Sequence, residues 1–142
     1  MGVPNAAHPI VEVILALYLG GDLAAELPDL LSQEVVTTDW MSPGKQLIGP
    51  VAFVEEMMEA SAVAFPDATE EILAVVFDGS SLVIHGRFRA TFAASYYGVD
   101  AHGGPLEWEI VDRWEIVNGL ITEVRFGADT RAAWAQIVPG GN

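Results

Sequence analysis

The sequence contains no cysteine. Disulfides, thiolate nucleophiles and cysteine-ligated metal sites are therefore excluded. Basic residues are scarce, with 6 Lys and Arg against 20 Asp and Glu and a formal net charge of −14. A chain this acidic repels phosphate backbones and anionic lipid surfaces, so we expect neither a nucleic-acid partner nor a membrane partner.

Long apolar runs are also missing. No segment approaches the roughly 18 consecutive apolar residues of a membrane-spanning helix. The N-terminus "MGVPNAAHPI" lacks the basic start and the continuous apolar stretch of a signal peptide. We therefore expect a cytoplasmic protein.

Histidine occurs only three times, and no two histidines have metal-ligand spacing. His8 and His102 lie in segments that are expected to be solvated, and His85 shares a strand face with Arg87 and Arg89. That face is typical of an exposed or subunit-facing surface. We expect no metal site and no cofactor.

Hydrophobic residues make up 51% of the 142 residues. This length and composition predict one domain over residues 1–142, with an ordered core over about 9–137 and a large buried interior or cavity.

The first half reads mainly as helix. Pro9 opens a first helix that stops at Gly20, and Pro28 interrupts a short second one. One strand, "EVVTTDW", ends near Asp39, and "SPGKQLIG" reads as a loop. Pro50 then begins a longer helix.

From Thr69 to Ala128 the sequence is rich in strands, with hairpin signals at Asp78-Gly79 and Asn118-Gly119. Asp129 or Thr130 caps a short last helix. Segregated helices and strands indicate an α+β fold, in which N-terminal helices pack on a curved antiparallel sheet. Such a sheet encloses a cone-shaped pocket.

Alternation along "PLEWEIVDRWEIV" places Asp112 on the same face as Trp108 and Trp114. Because the other face carries mostly charged residues, Asp112 is predicted to be buried. Desolvation favours a neutral carboxyl, which could act as a general acid or stabilise an oxyanion. The alternative is a structural carboxylate that backbone amides or a neighbouring arginine satisfy.

Asp39 is the second candidate, because it ends the one strand of the helical half beside Trp40 and Met41. A carboxylate at this place is also typical of a turn cap, so both interpretations stay open.

The stretches "GGDLAAELPDLLSQEVVTTD", "GPVAFVEEMMEA", "FPDATEEI" and "VDRWEIVNGLITEVRFG" resemble the nuclear-transport-factor-2-like (NTF2-like) superfamily. This superfamily includes the SnoaL-like polyketide cyclases and the ketosteroid isomerases. The resemblance covers roughly the whole chain and implies a cone-shaped fold and a homodimer.

The resemblance to the steroid isomerases implies roles for single residues. Asp39 matches their proton-shuttling aspartate, and Asp112 matches the aspartate that stays protonated in their oxyanion hole. Their oxyanion-hole tyrosine falls on Ile14, which leaves Tyr18, one turn later on the same helix face, as a candidate replacement.

The SnoaL-like cyclases give a different match. Their catalytic acid falls on Phe126 and their histidine on Asp112, while Asp129 matches a common family aspartate. The Asp-Arg-Asp relay of a limonene-type epoxide hydrolase would need an aspartate near Arg87 and Arg89, and none is found there.

The resemblance therefore predicts a cofactor-independent isomerase or cyclase for a small hydrophobic carbonyl compound that is polyketide-, terpenoid- or steroid-like. A non-catalytic ligand-binding domain and a dimeric assembly domain are the alternatives. The predicted catalytic residues are Asp39, Asp112 and Tyr18, and the predicted ligand-binding residues are Trp40, Phe53, Met57, Trp108, Trp114, Phe126 and Asp129.

Overall fold

Six strands form one sheet in the order β2-β1-β6-β5-β4-β3 in the computed structural model, which describes residues 9–139. β3, β4, β5 and β6 are antiparallel neighbours in chain order, and the hairpin signals predicted the pairs β3–β4 and β5–β6. The strands are β1 (Leu31–Asp39), β2 (Gln46–Ile48), β3 (Thr69–Phe77), β4 (Ser81–Thr91), β5 (Pro105–Val117) and β6 (Leu120–Phe126).

The sheet differs from the predicted antiparallel one in a single pair. β1 runs parallel to β6, with Asp39 opposite Phe126. The connection between parallel neighbours has to cross over, and here it comprises the intervening helices and strands. β2 lies within the segment predicted to be a loop, because three residues are too few to show alternation.

Helices pack against β1, β3 and β5 of this sheet, and the bounds of the first helix agree with its sequence signals. α1 starts at Pro9 and ends before Gly20, whose φ of 78° lets its N–H bond the Ala16 carbonyl. The helical segments are α1 (Pro9–Leu19), a 3₁₀ helix (Asp22–Leu30), α2 (Pro50–Ala52), a π-helical segment (Phe53–Glu59), α3 (Ala60–Ala64) and α4 (Thr130–Ile137).

β5 alternates between buried and exposed residues along its whole length. Asp112 is only 3% exposed, so the predicted burial is confirmed. Gly86 of β4 lies beside a bulge in the neighbouring strand β3, where the register shifts at Leu73. A Cβ on Gly86 would lie 2.8 Å from the Glu71 carbonyl oxygen, so glycine is needed where the sheet bends.

The outer face of the sheet carries a band of opposite charges. His85 Nε2 lies 2.7 Å from Glu109, while Arg87 and Arg89 contact Glu71 and glutamates of β5. The homodimer stays a prediction. His8 lies outside the described residues.

No helix within residues 9–139 has the length and apolar character needed to cross a membrane. Cytoplasmic location stays a prediction.

Thr37 on β1 is fully buried, and within residues 9–139 no hydrogen-bond partner reaches its Oγ1. We expect Thr37→Val to raise the free energy of unfolding by about 1 kcal/mol, because it removes an unsatisfied hydroxyl from the core. Urea unfolding measures the change. Thr38→Val, on the opposite and partly exposed face of the strand, is the control and should change stability little. A Thr37→Val variant less stable than wild type would contradict the prediction.

Candidate active site

A cavity of about 390 Å³ lies between the sheet and the helices. Five strands, α1, the π-helical segment and α3 contribute to its wall, which is largely apolar. The polar side chains in this wall are those of Tyr18, Asp39, Ser61, Glu70, Tyr96 and Asp112.

Asp112 reaches the cavity from the middle of β5, and both of its oxygens accept hydrogen bonds. Tyr18 Oη donates to Oδ2 over 2.6 Å, and the Gly127 amide donates to Oδ1 over 3.0 Å. Trp114 Nε1 in turn donates to Tyr18 Oη over 2.9 Å. A chain of hydrogen bonds thus holds the carboxyl, and none of its partners is a cation.

Burial raises the pKa of Asp112 well above its usual range. The nearby charges of Glu70 and Asp39 act in the same direction, whereas the hydrogen bonds from Tyr18 and Gly127 lower the pKa. Burial and the charge of Asp112 also raise the pKa of Tyr18, which therefore stays a donor. The site favours a neutral Asp112.

Asp39 lines the same cavity at the end of β1. Its Oδ1 accepts the Met41 amide over 2.9 Å, which is the turn-cap interaction expected as the alternative. Its Oδ2 accepts hydrogen bonds from the hydroxyls of Tyr96 (3.2 Å) and Tyr97 (2.9 Å), which lie in the loop between β4 and β5. Burial raises the pKa of Asp39, and these hydrogen bonds lower it in part.

The parallel strand pair brings the two carboxyls to one level of the sheet. Asp39 lies opposite Phe126, and the next residue, Gly127, binds Asp112. The backbones of Asp39 and Asp112 are two strand spacings apart, a distance of about 10 Å.

A third carboxyl, that of Glu70, lines the cavity from β3. Burial raises its pKa from the ordinary 4.5 to about 7. Alternation places Glu70 on the same face as Ile72, so its inward position could have been found from the sequence. Tyr96 and Tyr97 were also missed, and the only signal for them was a tyrosine pair in the loop between β4 and β5.

The predicted wall residues fall into two groups. Met57, Trp108 and Phe126 line the cavity. Phe53 and Trp114 are fully buried and pack against Phe126, with ring centroids 6.1 and 5.8 Å from it.

Two further predicted residues lie elsewhere. Trp40 is 50% exposed, and its ring lies against Gly127. Asp129 caps α4 by accepting the Ala132 amide over 3.1 Å, as the capping signal predicted. Whether these residues bind a ligand stays a prediction.

Within residues 9–139, no three His, Cys, Asp or Glu side chains are grouped so that they could hold a metal ion. The cavity thus presents three carboxyls, of which those of Asp39 and Asp112 are hydrogen-bonded and that of Glu70, within the described part of the chain, is not, together with tyrosine hydroxyls. These groups can donate, accept or transfer protons.

An α+β fold with a curved, open six-stranded sheet and helices is that of the NTF2-like proteins. The sequence profile of the SnoaL-like polyketide cyclases matches residues 10–137. The chain therefore belongs to the SnoaL-like polyketide cyclase family, which confirms the resemblance. A search of curated proteins finds no significant match.

Solved structures show the same fold. A candidate SnoaL-like polyketide cyclase from Jannaschia sp. CCS1 is 16% identical, with a TM-score of 0.79 over 91% of each chain. IdmH, a candidate polyketide cyclase from Streptomyces antibioticus, is 23% identical, with a TM-score of 0.69 over 92% of this chain and 99% of IdmH. An NTF2-like protein from Burkholderia thailandensis E264 is 16% identical, with a TM-score of 0.71 over 93% of this chain and 98% of that protein.

Proposed function

We propose that this protein binds a small hydrophobic carbonyl compound in the cavity and moves a proton at the carbon next to the carbonyl. Polyketide-, terpenoid- and steroid-like compounds have the required apolar surface. Membership of the polyketide cyclase family favours a polyketide-like compound. In this reaction Asp39 is the general base, and neutral Asp112 binds the enolate oxygen.

The environment of Asp39 supports its role as the base. Burial raises the pKa of its carboxyl, and a carboxylate with a raised pKa is the stronger base for a weakly acidic C–H. The hydroxyls of Tyr96 and Tyr97 fix Oδ2. The same Asp39 can return the proton to another carbon, which gives an isomerisation or closes a ring after addition.

Asp112 supports the complementary role. In its neutral form the Oδ2 hydroxyl can donate to the developing enolate oxygen while a lone pair on Oδ2 accepts the hydrogen bond from Tyr18. Because the carboxyl of Asp112 is already held in place, no reorganisation is needed when negative charge develops on the ligand oxygen.

Tyr18 acts in this proposal as a positioning residue. Its hydroxyl donates to Asp112 and accepts from Trp114, so its proton is not directed at the ligand. It thus differs from the direct donor that the resemblance implied.

One observation carries the proposal. Asp39 and Asp112 line the same cavity, and Asp112 has no cationic partner within the described residues. A structural carboxylate bridged to an arginine would not have favoured the neutral form.

Proton–deuterium exchange tests the proposal. Wild-type protein in deuterated buffer is mixed with hydrophobic ketones such as indanone and tetralone, and NMR follows the loss of the protons next to the carbonyl. We expect Asp39→Asn to slow the catalysed exchange by at least about 100-fold, because an amide cannot accept the proton.

Glu34→Gln is the matched control, because Glu34 lies on the same strand and is exposed. It should exchange as fast as wild type. Equal exchange rates in Asp39→Asn and wild type would remove Asp39 as the base.

A ligand-binding protein without catalysis is the second candidate. The hydroxyl proton of Tyr18 is committed to Asp112, which leaves one donor fewer for an enolate. Saturable binding of the ketones without any exchange would support this candidate.

A further inference from the structure

Glu70 is the one cavity carboxyl to which the proposed reaction gives no task. Within residues 9–139 its side chain has no hydrogen-bond or ion-pair partner, in contrast to Asp39 and Asp112. Its oxygens are therefore free to bind a group of the ligand. A partly buried carboxylate gains most from a donor, and above all from a cationic one.

Glu70 lies at the wall opposite Asp39. β6, β5 and β4 separate their two strands, so the backbones are four strand spacings apart, about 19 Å along the curved sheet. Asp112 on β5 lies midway between these two strands, so a ligand whose carbonyl oxygen binds Asp112 reaches Glu70 on the side away from Asp39. This orientation rests on the proposed function.

No cationic group of the described cavity lining faces Glu70. The charge of Glu70 acts on Asp112 of β5 and Tyr18 of α1. Phe88, opposite it on β4, carries no charge. Asp39 and Tyr96 are the other titratable groups of the wall, and the described lining contains no Lys, Arg or His.

We propose that Glu70 is a specificity-determining residue that pairs with a protonated amine on a hydrophobic ligand. The ammonium group supplies the positive charge that the wall lacks, and its N–H groups donate to the free carboxylate oxygens. Anionic compounds of the same shape are rejected by this end of the cavity. The ligand class is thus a hydrophobic carbonyl compound that carries a basic amine on the side of the carbonyl that faces away from Asp39.

Binding of three matched probes tests the proposal. Naphthylmethylamine, naphthylmethanol and naphthoate share one apolar ring system and differ in charge. We expect calorimetric titration at pH 8 to show that the amine binds about tenfold more tightly than the alcohol and that the acid binds most weakly. In Glu70→Gln the amine and the alcohol should bind equally.

The pH dependence gives a second readout. Because burial raises the pKa of Glu70 to about 7, its carboxyl is neutral at pH 5.5. The affinity for the amine should fall about tenfold between pH 8 and pH 5.5, to the level of the alcohol. In Glu70→Gln this fall should disappear.

Glu71→Gln is the matched control, since Glu71 is the next residue of β3 and is exposed on the outer face. It removes the same charge but should keep the preference for the amine. Equal affinities of wild type for amine and alcohol at pH 8, or an unchanged preference in Glu70→Gln, would overturn the proposal.

The Glu70 proposal and the proposed function can fail separately. If wild type showed no preference for the amine while proton exchange still depended on Asp39, only the role of Glu70 would be overturned. An amine preference that depends on Glu70, with exchange independent of Asp39, would support Glu70 and overturn the role of Asp39 as the base.

Discussion

Gly127→Ala should lower the free energy of unfolding by about 3 kcal/mol, because the backbone leaves no room for a side chain there. A Cβ on Gly127 would lie 2.3 Å from the carbonyl oxygen of Val111 and 3.3 Å from the ring of Trp40. The ring of Trp40 is half exposed and could shift. The Val111 carbonyl belongs to the central strand β5 and cannot move without displacing its neighbours.

The clash also acts on the site. The Gly127 carbonyl accepts the Val111 amide over 3.0 Å, and the Gly127 amide donates to Asp112. If β5 and the segment that follows β6 moved apart, both hydrogen bonds would lengthen. One buried oxygen of Asp112 would then lose its donor, which adds to the loss of stability.

Urea unfolding of Gly127→Ala and of Gly44→Ala measures the effect. Gly44 is the matched control, because no atom lies within 4 Å of a Cβ built there. The control should unfold at nearly the wild-type urea concentration. Equal midpoints for the two variants would show that the backbone at Gly127 has more freedom than its contacts indicate.

Stability should fall as the pH rises from 5 to 8, and Glu70 should be a main cause. Its pKa is about 7 in the folded protein and near 4.5 when it is solvated. Between these values the folded state holds a proton that the unfolded state has released, so raising the pH favours unfolding. The difference in pKa corresponds to about 3 kcal/mol.

The other two cavity carboxyls act in the same direction. Burial raises the pKa values of Asp39 and Asp112, so for these groups too stability falls as the pH rises from the pKa in the unfolded chain towards the pKa in the folded protein. The fall in wild-type stability is therefore expected to exceed that of Glu70 alone.

Unfolding by urea at a series of pH values measures this fall. Glu70→Gln should be more stable than wild type at pH 8 by about 3 kcal/mol and should show a shallower decline. Glu71→Gln, which removes an exposed charge from the outer face, should keep the wild-type slope. A wild-type stability that is constant or rises from pH 5 to pH 8 would contradict the assignment.

The sequence predicts best where one physical rule decides the structure. Alternation along β5 placed Asp112 in the interior, because only one face of that strand is apolar. Proline and glycine marked the ends of α1, and the Asn118-Gly119 pair marked the hairpin between β5 and β6. In each case the local backbone follows from the residues themselves.

Other features depend on contacts between distant segments. Nothing in β1 indicates that its neighbour is β6 or that the pair is parallel. The π-helical segment Phe53–Glu59 has the composition of an ordinary α-helix. The tyrosines that hold Asp39 come from a loop more than fifty residues away, so their role could be seen only in the folded chain.

The main-chain donors of Met41 and Gly127 have a consequence for how this protein can change during evolution. Each holds one oxygen of a cavity carboxyl, and a backbone N–H is retained when side chains change. Residues of the apolar wall can therefore be exchanged during evolution while the two acids keep their places. A scaffold of this kind can change the shape of its cavity by mutation of the lining without displacing the two carboxyls.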